Sequence, residues 1–304
     1  MISIGESILR TTGNEALSHA KHRAALLPDC LVEARRIANT VTAGWHGRRR
    51  RGPGENFWQF RPYVSGESLA RIDWRRSARD DHTYVRDMEW EAAHTVWLFA
   101  DLSSSMLFQS RLAPVSKEHR ALVLLLALTE MLLRSGERVG YPGLMEPVSS
   151  RNGAETLAHM LAAAPDDLPK IPDTAMMRGP SELIVIGDFL DRPEALFDRI
   201  APLSARGLTA HLVEVADPAE ESFPYTGRTA FSDPETGQEL TIGRAEALRE
   251  RYLELYQGRR RAISERAVKS GWSFVTHHTD RPASEALTAV HMRLSGETAA
   301  GGRR

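Results

Sequence analysis

Asp101, Ser103 and Ser105 stand at every second position of Asp101-Leu102-Ser103-Ser104-Ser105. One carboxylate and two hydroxyls at that spacing can bring their oxygens to a single point from one loop. Such donors suit a hard divalent ion such as magnesium or manganese and suit zinc or copper poorly. A second acid, Asp188, follows the apolar run SELIVIG at Ser181–Gly187. Neighbouring strands of a parallel sheet end on the same side, so Asp188 is expected to face Asp101 across the crevice at the carboxyl ends of the strands. The competing reading is structural: the serines cap the turn and Asp101 accepts backbone hydrogen bonds.

The elements that must position these residues are legible as an alternation. Thr95–Ala100, Val139–Leu144, Leu183–Gly187, Thr209–Val215 and Ser273–His277 read as strands. Helical patterns cover Glu118–Arg134, Glu155–Ala164, Arg192–Ala205 and Arg244–Ser270, with Gly136 and Gly207 as stops for the first and third. Strand and helix in turn predict an α/β fold of Rossmann type, a doubly wound and mostly parallel sheet. Ala121–Leu128 is apolar all round, so its helix should be buried on more than one side, with the N-terminal region as a candidate cover. Asn14–Leu27 and Asp29–Thr42 read as two helices separated by Pro28. Asp217–Gly243 interrupts the alternation with Asp-Pro and Thr-Gly turn signals and reads as a β-hairpin insertion.

The loop after Thr95–Ala100 resembles the metal-ion-dependent adhesion site (MIDAS) of von Willebrand factor A domains, which carry D-x-S-x-S after a buried strand. Ahead of it stand RGPGENFWQFRPYVSGESLARIDWRRSAR and VRDMEWE. That run resembles the bacterial family called domain of unknown function fifty-eight, with Arg71-Ile72-Asp73-Trp74 its most specific segment, over roughly Gly47–Met292. The resemblance implies a von Willebrand factor A-like domain over 92–295. Residues 1–91 would form a small helical and irregular subdomain, and 296–304 a disordered tail. It carries over Asp101, Ser103, Ser105 and Asp188 as metal ligands. It also implies a threonine ligand, for which Thr156 is the candidate although its local match is poor. Phe189 departs from the glycine that usually follows the second aspartate. The resemblance further implies a MoxR-type AAA+ ATPase as partner and a chaperone-like role in maturing or remodelling protein complexes.

Composition bounds the remaining possibilities. The chain has 304 residues, a formal net charge of -1 and one cysteine, Cys30. It therefore has no internal disulfide, fits a reducing cytosol and has no global attraction to nucleic acid or acidic lipid. No secretory signal is evident, and no apolar run approaches the roughly 20 residues that a membrane helix needs. The protein is expected to be cytoplasmic. Walker, G-x-S-x-G, H-E-x-x-H and Cys-x-x-Cys motifs are absent. The leading reading is a non-enzymatic, metal-dependent protein-interaction module. A magnesium-dependent phosphoesterase using Asp101 and Asp188 is one alternative, with no general base in an obvious position. His277 and His278 read as a turn or core pair. A nucleic-acid-binding module using Arg48–Arg51 is the other alternative. In Phe57–Asp87, opposite charges interleave with aromatics, and Asp73 is read as an arginine's partner with Trp74 as a core anchor, ahead of a catalytic role for Asp73.

Overall fold

A computed structural model describes residues 13–42, 51–65, 67–79, 81–89, 94–165 and 168–294. The elements in chain order are α1 (Gly13–Thr42), β1 (Arg51–Pro62), α2 (Trp74–Ser77), β2 (Tyr84–Glu89), β3 (Thr95–Ala100), α3 (Lys117–Arg134), β4 (Arg138–Tyr141) and β5 (Met145–Val148). They continue as α4 (Gly153–Ala163), β6 (Ser181–Gly187), α5 (Pro193–Ser204), β7 (Leu208–Ala216), α6 (Pro218–Ser222), β8 (Thr229–Ser232), β9 (Glu239–Ile242), α7 (Arg249–Lys269), β10 (Ser273–His278) and α8 (Ala283–Leu294). The expected segment 1–91 does not hold together as one subdomain. The chain falls into two compact units, one of Met1–Trp45 with Thr95–Arg304 and one of His46–His94.

The larger unit is mixed α/β around a six-stranded sheet of order β10-β7-β6-β3-β4-β5. All pairings are parallel except that of β4 with β5. Every residue of β6 and the last five of β3 are buried, so these central strands are covered on both faces. From β3 the chain winds outward to β4, then returns through α4 to β6 on the other side of β3. Strand order therefore reverses between β3 and β6, and a crevice opens there at the carboxyl ends.

Two expectations about elements are corrected. Val139–Leu144 is not one strand: Tyr141-Pro142-Gly143-Leu144 makes a tight turn, with Gly143 at φ 75° and Leu144 N–H donating to Tyr141 O at 3.0 Å. Proline then glycine in the two central positions is what such a turn requires. The chain reverses into β5, which pairs Val148 back against Val139. Pro28 does not divide the N-terminal region either, for α1 runs through it. The lost backbone bond is outweighed by a face of Leu27, Cys30, Ala34 and Ala38, all buried in the same core as α3. Arg23, fully buried, donates to the carbonyls of Leu161, Ala164 and Pro165 at 2.9–3.1 Å and so closes the end of α4. The expectation that α3 is enclosed is met: Ala121–Leu128 are all buried, and α1 packs on that helix.

The His46–His94 unit is an antiparallel pair, β1 with β2, joined through the single turn α2. Asp73 caps α2, accepting from Arg76 N–H at 2.9 Å, and pairs with Arg86 at 2.5 Å. Trp74 is 65% exposed and is no core anchor; among the described side chains of this unit, Val85 and Ile72 are the buried apolar ones. Arg48, Arg49, Arg50 and the tail 296–304 lie outside the described residues. The insertion is the hairpin β8–β9, with Thr229 opposite Ile242.

Candidate metal and docking site

Three adjacent strands each end in an aspartate. Asp101 follows β3, Asp188 follows β6 and Asp217 follows β7. Asp101 and Asp188 flank the reversal of strand order. Gly187 allows them to approach, for a β-carbon there would lie 3.1 Å from Asp101 Cβ. Beyond Asp188 the backbone of Phe189 is left-handed at φ 49°, in the place where glycine is usual in the resembling sites.

The side chains form one connected chain of bonds. Asp101 Oδ1 accepts from the backbone N–H of Ser103 at 2.9 Å. The hydroxyls of Ser103 and Ser105 stand 3.2 Å apart, and Ser105 donates to Asp188 Oδ2 at 2.8 Å. Asp188 Oδ1 accepts from Leu190 N–H at 3.1 Å. The structure places Asp101, Ser103, Ser105 and Asp188 next to one another at the ends of β3 and β6. A narrow cavity of about 40 Å³ borders Asp101 and Asp188 on the side of Lys170, Phe189, Leu196 and Phe197, and neither Ser103 nor Ser105 lines it.

Thr156 is not among them. The turn at Gly143 sends β5 back to the amino-terminal edge of the sheet, so α4 starts there, with Gly153 against Leu133 near the end of α3. Thr156, in the first turns of α4, is exposed and donates its hydroxyl to Asn152 O at 3.1 Å. It lies at the edge opposite Asp101.

Sequence reasoning missed Lys117 and Glu220. Lys117 is 1% exposed, and its ammonium donates to Asp188 Oδ2 at 2.9 Å and to Glu220 Oε1 at 2.7 Å. Glu220 belongs to the capping box of α6, where its other oxygen accepts from Asp217 N–H. Asp217 in turn accepts from Ser110 N–H at 2.9 Å. The Asp217-Pro-Ala-Glu220 spacing is a legible capping signal. Lys117 had a subtler one: as the first residue of α3, after the cap Ser116, it puts positive charge at the wrong end of the helix dipole.

Burial and the charge of Asp188 push the Asp101 carboxyl up to about 6, against the bonds from Ser103 and the charge of Lys170. Burial also pushes Asp188 up, but the ammonium of Lys117 outweighs it and holds that carboxyl below its ordinary value. Lys117 is held above its own ordinary value, because Asp188 and Glu220 outweigh its burial. Three carboxylates (Asp101, Asp188, Glu220) against one ammonium leave two negative charges in excess. Lys170 at the rim is matched by its own partners, Asp191 and Glu235.

A divalent ion would suit this donor set in charge once Asp188 gave up the ammonium of Lys117, although the described residues hold no group of three or more carboxylate, histidine or cysteine side chains that could hold a metal ion. Ligands about 2.1 Å from a magnesium ion in octahedral array stand about 3 Å from one another. The oxygen separations of 3.2 and 2.8 Å along Ser103, Ser105 and Asp188 agree with that. His277 and His278 are not part of the group. His277 is buried, and burial with the nearby charges of Arg120 and His278 pushes it down to about 3, while His278 pairs with Glu221 at 2.9 Å.

Fold and site define a mixed α/β protein with an acidic, hydroxyl-bearing cleft at the switch point of a mostly parallel sheet. The family model "Protein of unknown function DUF58" matches residues 59–262, and the chain belongs to that family. Uncharacterized protein Rv1480 of Mycobacterium tuberculosis is 27% identical over 249 residues, covering 76% of each chain, and uncharacterized protein Mb1516 of Mycobacterium bovis matches equally. Among solved structures, conserved hypothetical protein BatB from Bacteroides thetaiotaomicron aligns at TM-score 0.41 and 15% identity over 68% of this chain and 100% of its own. An aerotolerance-related membrane protein from Bacteroides fragilis aligns at 0.42 and 15% over 67% and 100%. These two likenesses are too distant to transfer any property. No helix among the described residues is long and apolar enough to cross a membrane.

Proposed function

We propose that this protein is a non-enzymatic interaction module of the von Willebrand factor A-like kind, working in the cytoplasm, whose docking face is the cleft between β3 and β6. The observation that carries the reading is the convergence of Asp101, Ser103, Ser105 and Asp188 at the switch point with an excess of negative charge. Those four residues would hold magnesium or manganese, weakly, because few protein ligands leave positions to water. The ion supplies positive charge that attracts an acidic side chain from a partner, which replaces one of the waters. The partner proposed from the family resemblance is a MoxR-type AAA+ ATPase, and the role a chaperone-like one in the maturation or remodelling of protein complexes. Recovery of an ATPase with the tagged protein in magnesium, and its loss with chelator or with Asp101→Ala, is the expected result. Equal recovery under all three conditions would overturn the reading.

One observation favours a second reading. A carboxyl near 6, as at Asp101, can exchange protons near neutral pH, which suits a magnesium-dependent phosphoesterase. Turnover of a generic phosphoester by the wild type, abolished in Asp101→Asn, would replace the first reading with this one.

A further inference from the structure

We infer that Lys117 is a tethered cation that holds Asp188 when no divalent ion is bound and yields it when one is. The inference deepens the docking reading and rests on it. Asp188 has little left to offer an ion as it stands. Its Oδ1 accepts from Leu190 N–H, and its Oδ2 accepts from both Ser105 and Lys117. The ammonium is equally committed, to Asp188 and Glu220, with the ring of Phe108 5.7 Å from its nitrogen.

Local structure does not explain a lysine here. At the first position of α3 its charge opposes the helix dipole, and burying an ammonium costs several kcal/mol unless its partners are good. The two acids that compensate it come from positions 71 and 103 residues away. Its placement therefore serves the cleft.

A divalent ion bound beside Asp188 would stand within a few ångströms of the ammonium, and the two positive charges would repel. Glu220 gives Lys117 somewhere to remain. It already accepts from the ammonium at 2.7 Å, so Lys117 can release Asp188 without becoming an unpaired buried charge. Glu220 also caps α6 at the start of the hairpin insertion. Release of Asp188 would thus transfer the full hold of the ammonium onto the insertion. The lysine offsets part of the negative charge of the cleft and sets the ion affinity low, so that ion and acidic partner bind together.

The test is manganese binding, followed by loss of the free-ion signal in electron paramagnetic resonance, in the full chain. Lys117→Met should bind manganese about a hundredfold more tightly than wild type, since one competing charge is gone. Lys117→Arg, which keeps the charge, should bind as wild type does. Should Lys117→Met fail to fold, the side-chain ammonium resonance of Lys117 in the wild type decides. It should shift on magnesium addition, and an unmoved signal at saturating magnesium overturns the inference. Equal affinities in wild type and Lys117→Met overturn it and leave the docking reading intact. Tight binding by Lys117→Met with none in wild type overturns it, because the lysine then never yields Asp188, and removes the ion bridge from the wild-type protein. Binding by neither overturns both.

Discussion

Gly187 and Asp101 face each other across the switch point so closely that a β-carbon on Gly187 would come within 3.1 Å of Asp101 Cβ. Both belong to the paired strand ends, where Asp101 N–H donates to Ile186 O at 2.8 Å. The separation of the two strands is therefore fixed, and only the Asp101 side chain can give way.

A methyl group at position 187 should be felt at the cleft before it is felt in the fold. Gly187→Ala is expected to weaken manganese binding about tenfold while costing roughly 1–2 kcal/mol in thermal unfolding. Thr156→Ala serves as the contrast. Since Thr156 bonds only to its own helix at the opposite edge, its loss should leave manganese affinity unchanged. A loss of affinity in Thr156→Ala, with none in Gly187→Ala, would contradict the placement of the site.

The Asp101 carboxyl sets a pH dependence whose sign can be worked out. Its folded-state value is raised, to about 6 from 3.8, so between those values the folded state holds a proton that the unfolded state has lost. Stability from this group is present at low pH and declines as pH rises through that window, by on the order of 3 kcal/mol in all. Asp101→Asn keeps the acceptor for Ser103 and removes the charge. It should melt above wild type at pH 7 in chelator, with the gap closing toward pH 4. Magnesium should narrow the gap at pH 7 by stabilising wild type alone. A gap that is the same at pH 4 and pH 7 would show that the charge is not the cause.

Arg23 gives a prediction remote from the cleft. Its three bonds to Leu161, Ala164 and Pro165 satisfy carbonyls at the end of α4 from a position that is 1% exposed. Arg23→Met keeps most of the bulk and removes every donor. Urea unfolding should show a loss of about 2–5 kcal/mol, the cost of leaving several buried carbonyls without partners. A loss under 1 kcal/mol would mean that water replaces the guanidinium there.

The residues read from sequence and those missed differ in where their information lies. Asp101 and Asp188 are legible because each ends an apolar run, and parallel strands end on a common side. Pro142-Gly143 is also legible as a turn, and a strand drawn over Val139–Leu144 runs β4 through that turn and leaves out β5. Thr156 comes from the resemblance alone, and the turn at Gly143 is what puts the start of α4 at the other edge of the sheet. Pro28 shows the opposite failure. Its local preference is real, but a buried stripe of Leu27, Cys30, Ala34 and Ala38 overrides it. The local pattern marks Lys117 only as a charge at the unfavourable end of α3 and does not show that it is buried. A lysine opening a helix reads as solvated, and its burial depends on two acids far along the chain. Trp74 erred in the other direction, since residue type alone suggested burial and the structure leaves it exposed.

Helix α1 has one more consequence, which concerns inheritance. The family match begins at residue 59, yet the enclosure of α3 and the closing of α4 both depend on a helix that lies before it. What relatives share as a recognisable segment and what must fold together are therefore different stretches of chain. A relative with an altered N-terminal helix would have to re-cover the apolar surface of α3 by other means. The residues that would vary with that helix are those on α3 and α4 facing it, and the change would reach the cleft, because His119, which pairs with Glu33 of α1 at 3.1 Å, stands two residues from Lys117 at the start of α3.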